Sequence, residues 1–225
     1  MSIQSNLNTI KASLPEHVTL VAVSKTKPVS DLMQAYEAGQ RIFGENKIQE
    51  MTEKWEQMPK DIQWHMIGHV QSNKVKYMAS YVSLIHGVDS LKLLQEINKQ
   101  ALKNNKIIDC LLQIYIAEEE SKFGLDENEL NALISSSDFK AMKNIRILGL
   151  MGMATFTEDQ NQIKKEFIHL KSIFDSIQKQ KEVSQNTSTL DNFSTISMGM
   201  SGDYQLAIEC GSTMVRIGSS IFGGR

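Results

Sequence analysis

Short apolar runs and amphipathic stretches alternate along this chain from end to end. The apolar runs are rich in β-branched residues and predict eight buried strands, at residues 19–24, 41–44, 63–68, 81–88, 107–117, 146–152, 192–198 and 214–218. Between them, apolar residues recur at helical spacing and predict helices at residues 30–38, 45–58, 73–79, 90–104, 126–135, 158–181 and 202–207. Ser30, Ser90 and Asp126 are the predicted N-caps of three of these helices.

Regular alternation of strand and helix predicts an α/β fold with a parallel sheet and helical crossovers. Eight repeats fit a single (β/α)8 TIM-type barrel, with a doubly wound open sheet as the alternative. Only residues 219–225 follow the last strand, too few for a covering helix of usual length. The amphipathic segment 3–13 is therefore predicted to be an extra N-terminal helix that fills this place on the outside of the barrel. The low-complexity stretch 178–189 is interpreted as a helix end that runs into a solvated loop. No other stretch has the composition of a linker, so residues 1–225 are predicted to form one domain.

Composition narrows the classes of partner. The net charge is −2 and no basic block is present, which argues against non-specific binding of nucleic acid. No apolar run approaches the ~18 residues of a membrane span, and the N-terminus does not resemble a signal peptide. Cys110 and Cys210 have no metal-ligand spacing and are interpreted as reduced core residues. These features predict a cytoplasmic protein without a membrane or nucleic-acid partner.

Lys25 directly follows the first predicted strand, in the segment VAVSKTKP. Barrels place their chemistry at the carboxyl ends of the strands. A lysine that is partly desolvated there, with a second cation nearby, is expected to have a lowered amine pKa and to attack an aldehyde to form a Schiff base. The alternative interpretation is a solvated surface lysine, the commonest situation for this residue type.

Two neighbouring strand ends carry the features of a phosphate site. In MGMSGD, after strand seven, Gly199 and Gly202 allow close approach of the backbone to a ligand, and Ser201 precedes a predicted helix. In RIGSS, after strand eight, Gly218 and Ser219 repeat the pattern. Either Gly-Ser pair alone is typical of a turn. Together, in the loops where barrels often bind phosphate, they predict an anion site.

Arg216 lies on the eighth strand, and its alternation with Ile217 predicts that it points into the barrel. Two interpretations remain open from the sequence. One is a buried salt bridge with Glu209 or Glu45. The other is a donor to an acceptor atom on the ring of a ligand.

The sequence lacks the motifs of several other common kinds of site. His65 and His69 are four residues apart but span a strand end, not a helix, so no metal site is predicted from them. The chain contains no GxSxG, Walker or Rossmann pattern in a suitable place.

A set of motifs in order along the chain carries a family resemblance: VAVSKTKP, FGENKIQE, WHMIGHVQSNK, SKFG, GLMGM and SMGMSGDYQLAIECGSTMVRIGSSIFG. With them, the chain resembles the pyridoxal-phosphate homeostasis protein family, also called the YggS or PROSC family, over nearly its whole length. The resemblance implies a barrel similar to the N-terminal domain of bacterial alanine racemase. It also implies that this barrel carries pyridoxal 5′-phosphate (PLP) on a lysine.

The resemblance assigns roles by position in the motifs. Lys25 is implied as the Schiff-base lysine, and Arg216 as the residue facing the pyridine nitrogen. The implied phosphate contacts are Ser201, Gly202, Gly218 and Ser219. Asn46 and Met198 are implied to line the ring pocket, and Lys27 and Lys122 to lie near the site.

The chemistry of this residue set favours binding over turnover. Arg216 can only donate, so the ring nitrogen is expected to stay unprotonated and the ring to stabilise a carbanion weakly. Racemases of this kind bring a second acid/base group from a C-terminal domain and a partner subunit, and this chain, which ends at Arg225, is not expected to have one. We therefore predict a monomeric PLP-binding protein, not an enzyme, that holds the cofactor as a Lys25 aldimine. Its predicted role is vitamin B6 homeostasis by storage, buffering or delivery, and delivery would make PLP-dependent apoenzymes the recipients.

Two other functions stay open at this point. The first is a small fold-type-III racemase or amino-acid lyase with Lys25 as its only base. The second is a barrel for another phosphate metabolite, with Lys25 as a point charge.

Overall fold

Eight parallel strands close into a barrel in which each strand pairs with the next along the chain and the last returns to the first. The computed structural model describes residues 2–118, 123–183 and 188–224, with only the backbone of residues 181–183 and 188. The strands are β1 Thr19–Val23, β2 Ile42–Glu45, β3 Gln63–Met66, β4 Val82–Val88, β5 Ile108–Gln113, β6 Ile145–Met151, β7 Thr195–Met200 and β8 Met214–Ile217. The closed sheet confirms the predicted (β/α)8 barrel and excludes the open-sheet alternative.

The helices surround this barrel. They are α1 Ile3–Ser13, α2 Val29–Glu37, α3 Ile48–Gln57, α4 Leu91–Lys103, α5 Glu127–Ser135, α6 Ser137–Ala141, α7 Gln160–Val183, α8 Tyr204–Glu209 and α9 Ser219–Phe222. Short 3₁₀ turns occupy Ser72–Tyr77 and Ser188–Leu190. Residues 73–79, predicted as an α-helix, thus form a tighter 3₁₀ connector between β3 and β4. No helix within the described residues is long and apolar enough to cross a membrane.

Two of the three predicted N-caps are confirmed. The side chains of Ser90 and Asp126 accept hydrogen bonds from the backbone of Leu93 and Glu129, and Asp126 and Glu129 form a reciprocal capping box. The prediction for Ser30 is wrong because α2 begins one residue earlier, with Pro28 at its N-cap. The Pro28 carbonyl accepts from Asp31 N (3.0 Å) and Leu32 N (3.4 Å), and no side chain caps this end of the helix.

Strand ends differ from the predictions by a few residues. The predicted strand 107–117 stops at Gln113, because the chain then returns and pairs with itself: Tyr115 N donates to Leu125 O and Leu125 N donates to Gln113 O. The predicted strand 192–198 is shifted along the chain, to Thr195–Met200. Both differences lie at the carboxyl end of the barrel, where the loops form the candidate site.

Alternation along the strands divides the apolar residues into two cores. The larger core lies between the sheet and the helices and contains Phe43, Trp64 and Phe167. A smaller one lies inside the barrel, built from Val21, Leu84, Leu111, Met151 and Met214. The two cysteines, Cys110 and Cys210, are free and buried.

Helix α1 confirms the predicted extra N-terminal helix. It packs against α2 and α9 and buries Leu7 and Ile10. Asn6 Nδ2 donates to Ile221 O in α9 over 3.1 Å. Because α9 has only four residues, α1 completes the helical layer at the point where the barrel closes.

Candidate functional site

A cavity of about 620 Å³ opens at the carboxyl ends of the strands. It is lined by residues that leave β1, β2, β3, β6, β7 and β8, together with a loop residue, Phe123. The predicted site residues that line it are Lys25, Lys27, Asn46, Ser201, Gly202, Arg216, Gly218 and Ser219. The structure therefore brings together in one cavity residues that are almost two hundred positions apart in sequence. Lys122 lies outside the described residues.

Met198 is the predicted site residue that the structure places elsewhere. Its side chain is 0% exposed, belongs to the outer core, and is not part of the cavity wall. The pairing of β7 with β8 is irregular between Ser197 and Met200, and Gly199 has φ 95° within this interval. This irregularity breaks the alternation of the strand, so Met200 lines the cavity instead.

Lys25 is partly buried on the cavity wall, at the exit of β1. The preceding residue is tied to the sheet, since Ser24 N donates to Gly44 O over 3.0 Å. The second predicted cation, Lys27, lines the same cavity, and its Nζ donates to Gly224 O over 2.9 Å. Lys25 and the anchored Lys27 thus lie within one cavity.

The loops after β7 and β8 meet, as the phosphate-site prediction requires. Gly218 N donates to Ser201 Oγ over 3.2 Å, which links the two loops. A Cβ added at Gly218 would lie 3.0 Å from Val23 O, whereas one added at Gly202 would meet nothing within 4 Å. Gly218 thus packs closely on β1, whereas the position of Gly202 leaves open space. Ser219 lines the cavity and begins α9, whose first N–H groups have no partner inside the helix.

Arg216 lies inside the barrel and is 3% exposed. Its Nη1 donates to Ser197 O (2.8 Å) and Ser197 Oγ (2.6 Å), and its Nη2 donates to Gly152 O (3.1 Å). Burial lowers the pKa of this guanidinium to about 10, against the opposing charge of Asp203, so it stays cationic at neutral pH. All three hydrogen-bond acceptors are uncharged.

The salt-bridge interpretation of Arg216 is not what the structure shows. Glu45, one of the two proposed partners, accepts from Lys54 Nζ over 2.7 Å on the outer side of the sheet. The hydrogen bonds of Arg216 account for three of its five N–H groups, which leaves donors available toward the cavity. The arrangement fits the interpretation as a donor to a ligand.

A buried polar chain continues from Arg216 across the barrel, and the sequence reasoning missed it. Ser197 Oγ lies 3.1 Å from His86 Nδ1, and His86 Nε2 lies 3.1 Å from His65 Nδ1. Arg216 can only donate to Ser197, whose own proton is then free for His86 Nδ1. The assignment that satisfies every group places the His86 proton on Nε2, directed at His65. Inward alternation on β3 and β4 was the sequence signal that could have identified the two histidines.

His65 and His86, the two histidines of this buried hydrogen-bonded chain, are both neutral. Burial lowers the pKa of His65 to about 3. Burial also lowers the pKa of His86 well below its usual value, with further contributions from His65 and from the positive charge of Arg216. The barrel interior under the cavity therefore carries one positive charge, on Arg216, held by neutral groups.

The histidines at the end of β3 do not converge on a metal. His65 contacts His86 inside the barrel, whereas His69 Nδ1 pairs with Asp89 at 3.2 Å, at the cavity mouth. The His69 ring also stacks on Phe123, with centroids 4.2 Å apart. Among the residues that the structure describes, no group of three or more His, Cys, Asp or Glu side chains could hold a metal ion.

The cavity combines three kinds of group. One wall provides a primary amine, the floor provides a buried cationic donor, and the loops after β7 and β8 provide backbone N–H groups. Such a set suits a small anionic molecule with an electrophilic carbon and a ring acceptor. The class of protein follows from the family model: residues 1–225 match the alanine racemase N-terminal domain.

Curated relatives narrow this class. The chain is 37% identical over 238 residues to the pyridoxal phosphate homeostasis protein of Pasteurella multocida, covering 100% of this chain and 98% of that protein. It is also 37% identical over 232 residues to the protein of that name from Schizosaccharomyces pombe, covering 100% and 93%. The chain belongs to the alanine racemase N-terminal domain family and, within it, to the pyridoxal phosphate homeostasis proteins.

Solved structures agree with this placement. The structure of PipY from Synechococcus elongatus, with PLP bound, is 31% identical, with a TM-score of 0.88, and the match covers 99% of this chain and 100% of that chain. Alanine racemase from Bartonella henselae has a TM-score of 0.73 at 18% identity, and the match covers 99% of this chain but 58% of the racemase. The second likeness is one of fold alone.

Because His65 and His86 are buried and neutral, the stability of the fold is expected to depend on pH. Their folded-state pKa values lie below the usual 6.5, so the unfolded chain binds more protons between pH 6.5 and about 3. The free energy of unfolding should therefore fall as the pH drops through this range, by up to about 1.4 kcal/mol per pH unit for each histidine. Replacing His65 by Asn, which keeps an acceptor near the Nδ1 position, should reduce this slope by the contribution of one histidine, up to about 1.4 kcal/mol per pH unit. Urea unfolding at several pH values measures it.

The matched control is His17→Asn, because His17 is exposed. It should leave the slope as in the wild type. An unchanged slope in the His65→Asn variant would show that the buried neutral state of His65 is not the source of the acid sensitivity.

Proposed function

We propose that this chain binds PLP and acts in vitamin B6 homeostasis as a store, buffer or carrier of the cofactor, with residues 1–225 as a single PLP-binding barrel domain. The observation that carries this proposal is the convergence of Lys25, Arg216 and the loops after β7 and β8 on one cavity. The names of the curated relatives and the PLP-bound PipY structure support it.

The residues present fit PLP group by group. Lys25 would hold the aldehyde group: its unprotonated Nζ would add to the aldehyde carbon, a C=N bond would form, and the aldehyde oxygen would leave as water with the two amine protons. The loops that contain Ser201, Gly202, Gly218 and Ser219 would hold the phosphate, because backbone N–H groups favour an anion. Arg216 would donate to the pyridine nitrogen, and Asn46 would line the ring pocket.

The same residues support binding without substantial turnover. PLP supplies an electron sink whose strength depends on protonation of its ring nitrogen. Arg216 remains cationic and can only donate, so it does not protonate that nitrogen. Of the other described titratable side chains on the cavity wall, His69 is paired with Asp89 and stacked on Phe123, Lys27 donates to Gly224 O, and Asp203 Oδ1 accepts from Met200 N. We infer that these contacts keep all three groups from acting as the second acid/base.

The wider role follows from the same proposal. A cofactor that is bound covalently but reversibly can be kept from side reactions and released to PLP-dependent apoenzymes, which are the proposed recipients. We propose that the protein does this as a cytoplasmic monomer. A small racemase or amino-acid lyase, with Lys25 as its base, is the enzymatic alternative that experiment must distinguish.

The Schiff base is tested by removing its amine. Wild-type protein mixed with PLP should show an absorbance band near the edge of the visible range, and Lys25→Ala should lack the band with an unchanged circular dichroism spectrum. The variant should fold because the side chain lines the cavity and is not part of either core. Borohydride reduction and peptide mapping should then label Lys25, with Lys27 and Lys122 as secondary sites in excess PLP.

Lys103→Ala is the control for loss of a lysine, since Lys103 is exposed at the far end of α4. This variant should keep the band. A main label on any lysine other than Lys25 would contradict the assignment.

Absence of turnover is tested by hydrogen exchange at the Cα of amino acids. With L-alanine in heavy water, proton NMR should show no incorporation of deuterium above that caused by free PLP, and no D-alanine should form. The expectation rests on the proposal that the ring nitrogen stays unprotonated and that none of the described groups on the cavity wall acts as a second acid/base. Exchange at enzyme-like rates, on the order of 1 per second, would establish the racemase or lyase alternative.

A further inference from the structure

A charged cluster lies directly outside the barrel, behind the segment that carries Lys25. It consists of Glu45 at the end of β2 with Glu50 and Lys54 on α3. Lys54 Nζ lies 2.7 Å from Glu45 Oε1 and 2.7 Å from Glu50 Oε1. Glu45 is 0% exposed and Lys54 is 5% exposed. Two carboxylates thus share one buried ammonium.

The contacts within this cluster do not indicate that its burial stabilises the fold. Glu45 Oε2 is buried without a hydrogen-bond partner. Burial raises the pKa of Glu45, and the nearby Lys54 offsets this only in part. Replacing a buried ion pair by apolar residues is often neutral or stabilising, so such a pair is weak evidence of a stabilising role. The contacts that the cluster makes with neighbouring backbone suggest a different one.

The cluster holds the residues on both sides of Lys25. Ser24 Oγ donates to Glu45 Oε1 over 2.6 Å, and Ser24 O accepts from Lys54 Nζ over 2.8 Å. Thr26 N donates to Glu50 Oε1 over 2.6 Å. Lys25 is therefore suspended between two anchored residues, with its own side chain directed at the cavity.

The anchored segment is a tight turn with an unfavourable residue in it. Lys27 N donates to Ser24 O over 3.1 Å, which closes a four-residue turn with Lys25 in its second position and Thr26 in its third. Thr26 has φ 65°. A positive φ at the third position is the mark of a type II turn and normally requires glycine. A β-branched residue adopts this conformation only where its surroundings impose it.

We propose that Glu50 is the positioning residue for Lys25: its carboxylate holds the Thr26 amide and so imposes the turn that aims Lys25 Nζ into the cavity. Lys54 fixes Glu50, and Glu45 fixes Lys54 and Ser24. Because Glu50 is on α3 and does not line the cavity, it acts only through the turn. The inference rests on the proposed function, in which Lys25 must meet the aldehyde of PLP.

The test compares two ligands that differ at one group. PLP has an aldehyde, whereas pyridoxine 5′-phosphate has an alcohol there and cannot form a Schiff base. Replacing Glu50 by Ala removes the acceptor of the Thr26 amide. This variant should bind PLP about tenfold more weakly, equivalent to about 1.4 kcal/mol, and form the Schiff base more slowly. Its affinity for pyridoxine 5′-phosphate should stay within about twofold of the wild type, because the phosphate loops and Arg216 are untouched.

Three further variants sharpen the result. Glu56→Ala removes the same charge from an exposed position on the same helix and should change neither affinity. Glu50→Gln keeps an oxygen acceptor and should lose less PLP affinity than Glu50→Ala. Adding Thr26→Gly to Glu50→Ala should restore part of the lost affinity, because glycine adopts a positive φ without help.

The outcomes separate this inference from the proposed function. If Glu50→Ala weakens both ligands equally, or neither, Glu50 does not position Lys25. The same conclusion follows if the added Thr26→Gly restores nothing. By contrast, wild-type protein that fails to bind PLP through Lys25 would overturn the proposed function itself.

Discussion

Pairing between β8 and β1 is the contact on which the candidate site depends. Val21 is in register with Arg216, and Ala22 with Ile217, so the two strands leave the barrel side by side. Lys25 follows one of them and Ser219 the other. A Cβ at Gly218 would approach Val23 O to 3.0 Å, so glycine allows the loop after β8 to pack against the exit of β1. Closure of the barrel thus brings Lys25 next to the loops of the proposed anion site, from opposite ends of the sequence.

Below this edge, the interior of the barrel changes from apolar to polar. Val21, Leu111 and Met214 belong to the apolar core inside the barrel, and the hydrogen-bonded chain Arg216–Ser197–His86–His65 crosses the same interior. The chain holds a buried cation without a carboxylate in its hydrogen-bonding shell. Such a charge favours an anionic ligand and cannot protonate the ring nitrogen of a bound cofactor. Outside the barrel, the cluster of Glu45, Glu50 and Lys54 hydrogen-bonds Ser24 and Thr26, which follow β1. Arg216 is thus held by groups inside the barrel, and Lys25 is proposed to be positioned by the charged cluster outside it.

The sequence predicted the features that depend on local periodicity. Strand and helix spacing predicted the barrel, and the rule that chemistry lies at strand ends selected Lys25 and the two loops of the phosphate site. The misses have physical reasons. Met198 was expected in the ring pocket, but the irregular β7–β8 pairing breaks the alternation of the strand there, which the sequence does not reveal. Helix α2 begins at Val29 with Pro28 at its N-cap, where a serine cap was expected. The partners of Arg216 and the cluster around Glu50 depend on contacts between distant segments, which neither periodicity nor motif spacing encodes.

The position of PLP relative to Lys25 and the loops after β7 and β8 is the most direct test of the proposed function. A crystal structure of the protein grown with PLP would test it. We predict continuous electron density from Lys25 Nζ to the aldehyde carbon, a phosphate within about 3 Å of the backbone N–H groups at Ser219, and the pyridine nitrogen facing Arg216. A cofactor bound outside this cavity, or bound within it with its phosphate away from the loops after β7 and β8, would contradict the account.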